Sequence, residues 1–309
     1  MIAGRMIDGP AAKVLAVAKI NLALQVAPRG PDGYHELHTV FSAVSLFDHL
    51  VCRPGAPGDI KVTVLGRQAA MVPSDGTDLA GRAAALLRDN CGRPGLGVHI
   101  TLTKSIPVAG GMAGGSADAA AALVGCRELW GLEVGDDDMF ALAGQLGADV
   151  PFALLGGVAE GSGRGDRLTP LPVTSQFTWV LAFADEGLST AAVFATFDKM
   201  GGGRELTPLD AVKQALSRVN TLALGAALTN DLEPAAIKLR PELAETLAVG
   251  RQSPGARGGI LSGSGPTCAF LVDSKGSAKS VAKSLEALSQ VSATAIVDSP
   301  PPERWRGLG

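Results

Sequence analysis

The stretch Lys104 to Leu123, KSIPVAGGMAGGSADAAAAL, decides how this chain folds. Just before it, Val98, Ile100 and Leu102 alternate with His99, Thr101 and Thr103, which predicts a short strand. After Ile106 and Pro107 come four glycines within six residues, Gly110, Gly111, Gly114 and Gly115, then Ser116 as the expected cap. The alanine-rich run beyond predicts a helix to Trp130, with Gly131 as its stop. Glycines ahead of a helix let backbone N–H groups bend toward one point. The helix N-terminus adds several unpaired donors and roughly half a positive charge. That combination suits a polyanion, and phosphate is the usual one. A tight strand-to-helix turn would need only one or two glycines, so four with a serine favour the anion site. Gly114 and Gly115 are expected to take positive φ, where a β-branched side chain would close the approach to phosphate.

Working toward the N-terminus, Ala12 to Val26 reads as a strand pair or one long strand. Ile20, Leu22, Leu24 and Val26 share one face, and Lys19 and Asn21 share the other. A lysine in such a strand is commonly an edge or solvent-facing residue. Pro28 to Gly33 is a loop by its proline and glycine density. Tyr34, the only tyrosine, follows with His35 and His38. The two histidines are spaced to share a helical face, but no third ligand is near and metal is not favoured. Tyr34 with His35 suits a flat ring; the plainer alternative is a tyrosine packed at a loop edge.

Further on, Asp59 to Leu65 predicts a strand, and Thr77 is placed to cap a helix from Asp78 to Asn90. Another helix is expected from Asp136 to Leu146, capped by Asp136 and stopped by Gly147. Asp149 then sits in GADVPF, in surroundings too apolar for an ordinary surface turn. Glu160 to Asp166 reads as a glycine-rich turn, and Pro170 and Pro172 bracket the expected domain boundary, giving domains 1–171 and 172–309. The second half has a strand from Thr178 to Ala184 and a helix capped by Thr207 with Pro208 first. A helix from Pro234 to Val249 follows, then a second glycine-rich loop, SGSGPT, leading into an apolar strand ending at Val272. A helix from Ser277 to Leu288, a strand from Ala293 to Val297 and a disordered tail close the chain.

Composition narrows the function. The 309 residues suit two domains, and 46% apolar content supports a sizeable core. With 27 basic against 30 acidic residues and no basic run, a nucleic-acid partner is not expected. No stretch is long and apolar enough for a membrane span or signal peptide. The four cysteines, Cys52, Cys91, Cys126 and Cys268, show no paired spacing, which fits a reducing cytoplasm. There is no GxxxxGK[ST], no early GxGxxG, and no HRD or DFG. The loop therefore belongs to another class of phosphate binder.

PxxxGxxGGSxxAA after a strand resembles the signature loop of the GHMP kinases. AKINLAL, DGYHEL, GADVPF and LSGSGPT are similar to the branch of that family acting on the 2-hydroxyl of a cytidine-diphosphate-linked methylerythritol, in non-mevalonate isoprenoid synthesis. The resemblance runs from about Ala12 to Val272. It implies an α+β protein with an N-terminal ATP-binding domain (ribosomal protein S5 domain 2-like) and a C-terminal ferredoxin-like α/β sandwich. It further implies Lys19 and Asp149 as the catalytic pair, with Asn21, Tyr34, His35, Thr190 and Phe194 at the substrate. Tyr34 and Phe194 would sandwich the cytosine. ATP would be held by Pro107, Val108, Ala109, Gly110, Gly111, Met112, Ala113, Gly114, Gly115, Ser116 and Ala117, with Lys104 near the nucleotide.

The chain departs from that family where Ala117 replaces a usual second serine, and where Ala109 and Ala113 replace glycines. Backbone donation survives these changes, but a metal-binding hydroxyl does not. Mg²⁺ is expected with ATP, while its protein ligands stay unassigned. The rival readings are a homoserine- or mevalonate-type kinase of the same family, against which DGYHEL argues, and a non-catalytic nucleotide sensor, against which Lys19 and Asp149 argue.

Overall fold

The computed structural model describes residues 5–7, 11–73 and 78–301. The first half runs β1 (Arg5–Ile7), β2 (Ala12–Arg29), β3 (His35–Pro54), β4 (Ile60–Leu65), α1 (Leu79–Asn90), β5 (Val98–Thr103), α2 (Gly114–Leu129), α3 (Asp136–Leu146), α4 (Val150–Leu155), β6 (Val158–Gly163) and β7 (Arg167–Pro170). The second runs β8 (Phe177–Ala184), α5 (Thr190–Lys199), α6 (Asp210–Ser217), α7 (Thr221–Ala227), β9 (Thr229–Asn230), α8 (Glu233–Leu239), α9 (Glu242–Gln252), β10 (Ala256–Leu261), β11 (Cys268–Val272), α10 (Lys275–Glu286) and β12 (Val291–Ser299).

The first sheet is ordered β1-β2-β3-β5-β4, with β6 and β7 continuing from β3 and β9 on β2. The long β3 serves two neighbours. Leu37 to Ser42 pairs with β6, and His49 to Pro54 pairs with β5. β5 buries Val98, Ile100 and Leu102, as its alternation requires. α2 lies on this sheet. Its alanines are almost all buried, and their small size brings helix and sheet close. A Cβ at Gly125 would stand 2.7 Å from Cys52 Sγ, so a larger residue would force Cys52 to move. One apolar core runs under α1, α2, α3 and into the inner face of the second sheet.

The second sheet is ordered β10-β11-β8-β12, every pair antiparallel. Strand, helices, strand, strand, helix, strand in that order is the ferredoxin-like arrangement. The second half also reaches back to the first. β9 pairs in parallel with β2, Ala23 opposite Thr229 and Leu24 opposite Asn230. The Val26 N–H donates to Asp231 Oδ2 at 2.9 Å.

Several local expectations give way to tertiary partners. Ser116 does not cap α2; Ala113 occupies the N-cap in the left-handed region with no side-chain bond. Gly135, not Asp136, precedes α3. α1 is capped by Asp78, which accepts the Gly81 N–H at 2.8 Å, while Thr77 lies outside the described residues. Thr207 is bonded to Gln25 through both its N–H and its hydroxyl, so α6 begins at Asp210 instead. The helix expected over Pro234 to Val249 is broken before Pro241 into α8 and α9, as a proline disfavours helix at the residue ahead of it. His35 and His38 sit on strand β3, where an odd spacing sends them to opposite faces rather than to one. Most of the expected turn over Glu160 to Asp166 is strand β6. The C-terminal tail beyond 301 lies outside the described residues.

Candidate active site

A cleft of about 460 Å³ opens between the loop ahead of α2, strand β2, the start of α4 and helix α5. Its first wall is the glycine-rich loop. Four successive carbonyls of that loop are turned into the protein. The Ala109 oxygen accepts the Leu188 N–H at 3.1 Å, Gly110 accepts Thr267 N–H at 3.3 Å, and Met112 accepts Lys19 N–H at 3.3 Å. Gly111 accepts the Ser262 hydroxyl at 3.0 Å. A trans peptide sets the next N–H opposite its carbonyl. The N–H groups of Gly110, Gly111, Met112 and Ala113 therefore point away from these partners. The first N–H groups of α2, from Gly114 onward, extend the same donor array.

The torsions that shape the loop fall elsewhere than expected. Positive φ occurs at Ala109 (53°), Gly111 (75°) and Ala113 (56°). Gly114 and Gly115 are the opening residues of α2 instead. At Gly114 the role is room: a Cβ there would come within 3.1 Å of Ile106 and 3.3 Å of Lys104 Nζ, whereas one on Gly115 would make only an ordinary 3.4 Å contact with Leu79. The Met112 side chain is fully buried, so this residue offers the cleft only its backbone.

The opposite wall carries Lys19 and Asp149. Lys19 Nζ lies 4.0 Å from Asp149 Oδ2 and donates to Asn21 Oδ1 at 2.7 Å. Asn21 in turn donates to the Thr39 hydroxyl at 2.8 Å, which donates to the Ala23 carbonyl at 2.6 Å. This chain fixes the lysine's direction. Burial pulls the Lys19 ammonium below the usual lysine range, with the Asp149 charge opposing. Asp149 sits at the α3–α4 junction, its side chain 36% exposed and Lys19's only 7%. A partly open carboxylate beside a buried ammonium can take a proton from a hydroxyl and steady incoming negative charge.

At the far end, Phe194 of α5 lines the cleft. The His35 ring packs against Phe194, centroids 5.3 Å apart, and edge-on to Phe197 at 5.9 Å. Both His35 ring nitrogens are engaged, Nδ1 with the Ala27 carbonyl at 2.8 Å and Nε2 with Asp198 at 3.1 Å. His35 itself does not line the cleft; with a side chain only 7% exposed and no free ring nitrogen, it backs Phe194 from behind. Tyr34 stands apart. It is 53% exposed, does not line the cleft, and carries the Arg164 guanidinium 3.5 Å above its ring. Thr190 opens α5, and its hydroxyl meets Ser264 of the second glycine-rich loop at 2.8 Å.

Lys104 is buried beneath the first loop. Its ammonium donates to Asp48 at 2.5 Å and Asp118 at 2.7 Å. Burial works against this charge, but Asp118 and Asp48 outweigh it and hold the ammonium above the ordinary range. Neither Asp48 nor Asp118 stood out in the sequence. The available signal was a single aspartate inside the alanine run of α2, and another inside the apolar run of β3. Among the described residues no cluster of three or more His, Cys, Asp or Glu is placed to hold a metal.

Residues 78–157 match the GHMP kinases N terminal domain and residues 209–289 the GHMP kinases C terminal domain. A protein of Nocardia farcinica named 4-diphosphocytidyl-2-C-methyl-D-erythritol kinase is 51% identical over 275 residues, covering 88% of each chain. The chain belongs to the GHMP kinase family. Another relative of the same name, from Thermobifida fusca, is 49% identical over 292 residues, covering 92% of this GHMP kinase and 94% of the relative. A crystal structure of 4-(cytidine 5'-diphospho)-2C-methyl-D-erythritol kinase superposes with a TM-score of 0.77 at 37% identity, covering 94% of this chain and all of that one. A homoserine kinase from Cytophaga hutchinsonii reaches a TM-score of 0.73 at 16% identity, a likeness of fold alone.

Proposed function

We propose that the protein transfers the γ-phosphoryl group of ATP to the 2-hydroxyl of 4-diphosphocytidyl-2-C-methyl-D-erythritol, in non-mevalonate isoprenoid precursor synthesis. The observation that carries this reading is the pairing of Lys19 and Asp149 across one cleft from the donor loop. Relatives of that name, about half identical over nearly the whole chain, support the choice of acceptor. The division at residues 171 and 172 is part of the reading, supported by the change of sheet between Pro170 and Phe177. A cytoplasmic setting is supported by four cysteines that form no disulfide.

Phosphoryl transfer asks for positioning and charge stabilisation more than covalent chemistry. The N–H groups from Gly110 to Ser116 would hold the triphosphate against the α2 N-terminus. Asp149 would accept the proton of the attacking hydroxyl. Lys19, aimed by Asn21, would orient that carboxylate and meet the charge of the transferring group. Thr190 and Phe194, with His35 reached through its backbone and Tyr34 freed by rearrangement of Arg164, would receive the cytidine end.

The donor set can be tested against magnesium. Among the described residues, three carboxylates line the cleft; Asp78 and Asp118 are buried and Asp149 is partly open. Mg²⁺ is commonly held by one or two carboxylates with substrate phosphates and water. The residues therefore fit an ion carried in on ATP, with Asp149 as its protein contact. Such an ion would neutralise phosphate charge.

An ADP-release assay with the cytidine-linked methylerythritol, homoserine and mevalonate side by side tests the reading. Turnover is expected with the first only. Equal or faster turnover of either other alcohol overturns the acceptor, and no turnover of any overturns the kinase reading.

A further inference from the structure

Three charges lie buried beneath the glycine-rich loop, and their count does not balance. Lys104 directly follows β5 and enters the loop; Asp118 lies in α2, just beyond it; Asp48 comes from β3. The Lys104 ammonium spans all three segments, at 2.5 Å from Asp48 Oδ2 and 2.7 Å from Asp118 Oδ2. Asp48 Oδ1 also takes the Ser105 and Ile106 N–H groups, at 2.5 and 2.8 Å. Both Asp48 oxygens are thus supplied with donors, as an ionised carboxylate requires.

Asp118 is different. Its Oδ2 accepts from Lys104, but its Oδ1 is buried without a partner among the described residues. An ionised carboxylate oxygen with no donor is costly in such a place. One ammonium also balances only one of two carboxylates. With both ionised, the cluster would place a net negative charge under a loop whose N–H groups are gathered for a polyanion. A proton on Asp118 removes the excess charge and leaves the unpartnered Oδ1 on a neutral carboxyl, where the cost is smaller. Burial, acting against Lys104 and with Asp48, pushes the Asp118 carboxyl up to about 8. The cluster is tight against the loop: a Cβ on Gly114 would stand 3.3 Å from Lys104 Nζ.

We propose that Lys104, Asp48 and Asp118 clamp the two ends of the loop together, and that Asp118 must carry a proton for the loop to accept a triphosphate. Asp118 is then a positioning residue. This rests on the reading that the cleft binds ATP. Among the described residues, the charged groups lining the same cleft are Lys19, Asp78 and Asp149 besides the cluster itself. Lys104 and Asp48 act on Asp118 directly. Asp78, on the same cleft, has its carboxylate on the Gly81 N–H of α1. Lys19 and Asp149 lie on the far wall and act on each other.

The test is a calorimetric titration of the full chain, without acceptor, with the ATP analogue carrying a terminal thiophosphate from about pH 7.5 to about 9.5; its bridging oxygen keeps the terminal group's own titration at or below the ordinary phosphate value of about 6. Affinity is expected to fall with rising pH, approaching about tenfold per pH unit where one proton is linked to binding. Asp118→Asn should remove most of that fall, leaving only what Lys19 contributes. A flat wild-type profile, or the same slope in Asp118→Asn, overturns the proposal. Infrared difference spectroscopy of the unliganded wild type gives a second readout, independent of how the variant folds. A protonated-carboxyl band present at neutral pH and lost as pH rises past Asp118's titration supports the proton. Its absence at neutral pH overturns it. If the analogue binds at no pH, the ATP reading fails, and the infrared band still decides the proton.

Discussion

Gly111→Ala would put a methyl group where the two glycine-rich loops touch. A Cβ there would lie 2.2 Å from the Ser262 carbonyl oxygen and 2.8 and 2.9 Å from the Gly265 N and O. All three are backbone atoms, so no rotamer change relieves the contact. The positive φ of 75° is the smaller obstacle. Ala109 and Ala113 already bear φ of 53° and 56° in the same loop, a conformation costing about 1–2 kcal/mol for an L-residue. The contact must be relieved by moving one loop about 1 Å from the other, and overpacking of this kind costs about 1–3 kcal/mol. At tenfold per 1.4 kcal/mol, kcat/KM should fall by about 5- to 150-fold. A displacement of about 1 Å at a positioning element can alone cost about 10²-fold. ADP release gives kcat/KM, and thermal unfolding shows whether the fold survives. Wild-type kcat/KM in a folded Gly111→Ala protein would refute the reasoning, because the loops would then be free to part without consequence.

Ala113→Gly runs the other way. It relieves about 1–2 kcal/mol of torsional strain against about 0.4–1 of added unfolded-state freedom, so a small gain in Tm is expected by calorimetry. Asp149→Asn should lose about 10²–10⁴-fold in turnover while an ATP analogue and the cytidine substrate still bind; combined with Lys19→Met, the losses should fall well short of multiplying. Tyr34→Ala should weaken the cytidine substrate by about 10- to 100-fold, with ATP affinity nearly unchanged, since stacking on an aromatic is worth about 1–3 kcal/mol; equal weakening of both ligands would mark Tyr34 as structural. Partial burial pushes Glu160 up, but bonds from Lys213 and His38 outweigh it and hold the carboxyl below its usual range. Its contribution to stability is therefore present above the unfolded carboxylate value and lost as pH falls through the lower folded one, so Tm profiles of wild type and Glu160→Gln should converge on acidification.

The parts of the site legible in the sequence were those in which composition and period carry the meaning. The glycine density of the loop, the shared face of Lys19 and Asn21, and the apolar setting of Asp149 each stand in a short window. What was not legible depends on partners distant in sequence. Nothing near Thr207 says that Gln25, far off on strand β2, will bond both its N–H and its hydroxyl and so delay α6. Nothing in DGYHEL says that both nitrogens of His35 will be held by Ala27 and Asp198. The loop torsions were misassigned for a related reason. Positive φ was expected at the glycines that open α2, but those residues are helical. The strain falls on two alanines, where the bonds of the loop carbonyls to other segments hold it in place.

Those carbonyl bonds also explain why the two halves make one site. The loop belongs to the first half, yet three of its four pinned carbonyls are held from the second, by Leu188, Thr267 and Ser262. The fourth is held by the backbone of Lys19 itself. The donor array and Lys19, one member of the proposed catalytic pair, are therefore tied together by the same set of bonds. The second glycine-rich loop carries this further, because Ser264 bonds Thr190 at the head of the helix that presents Phe194. A shift of either half would move the loop, Lys19 and the α5 wall together. For a reaction whose catalysis is mostly placement, that shared fixing matters more than any single contact in the cleft.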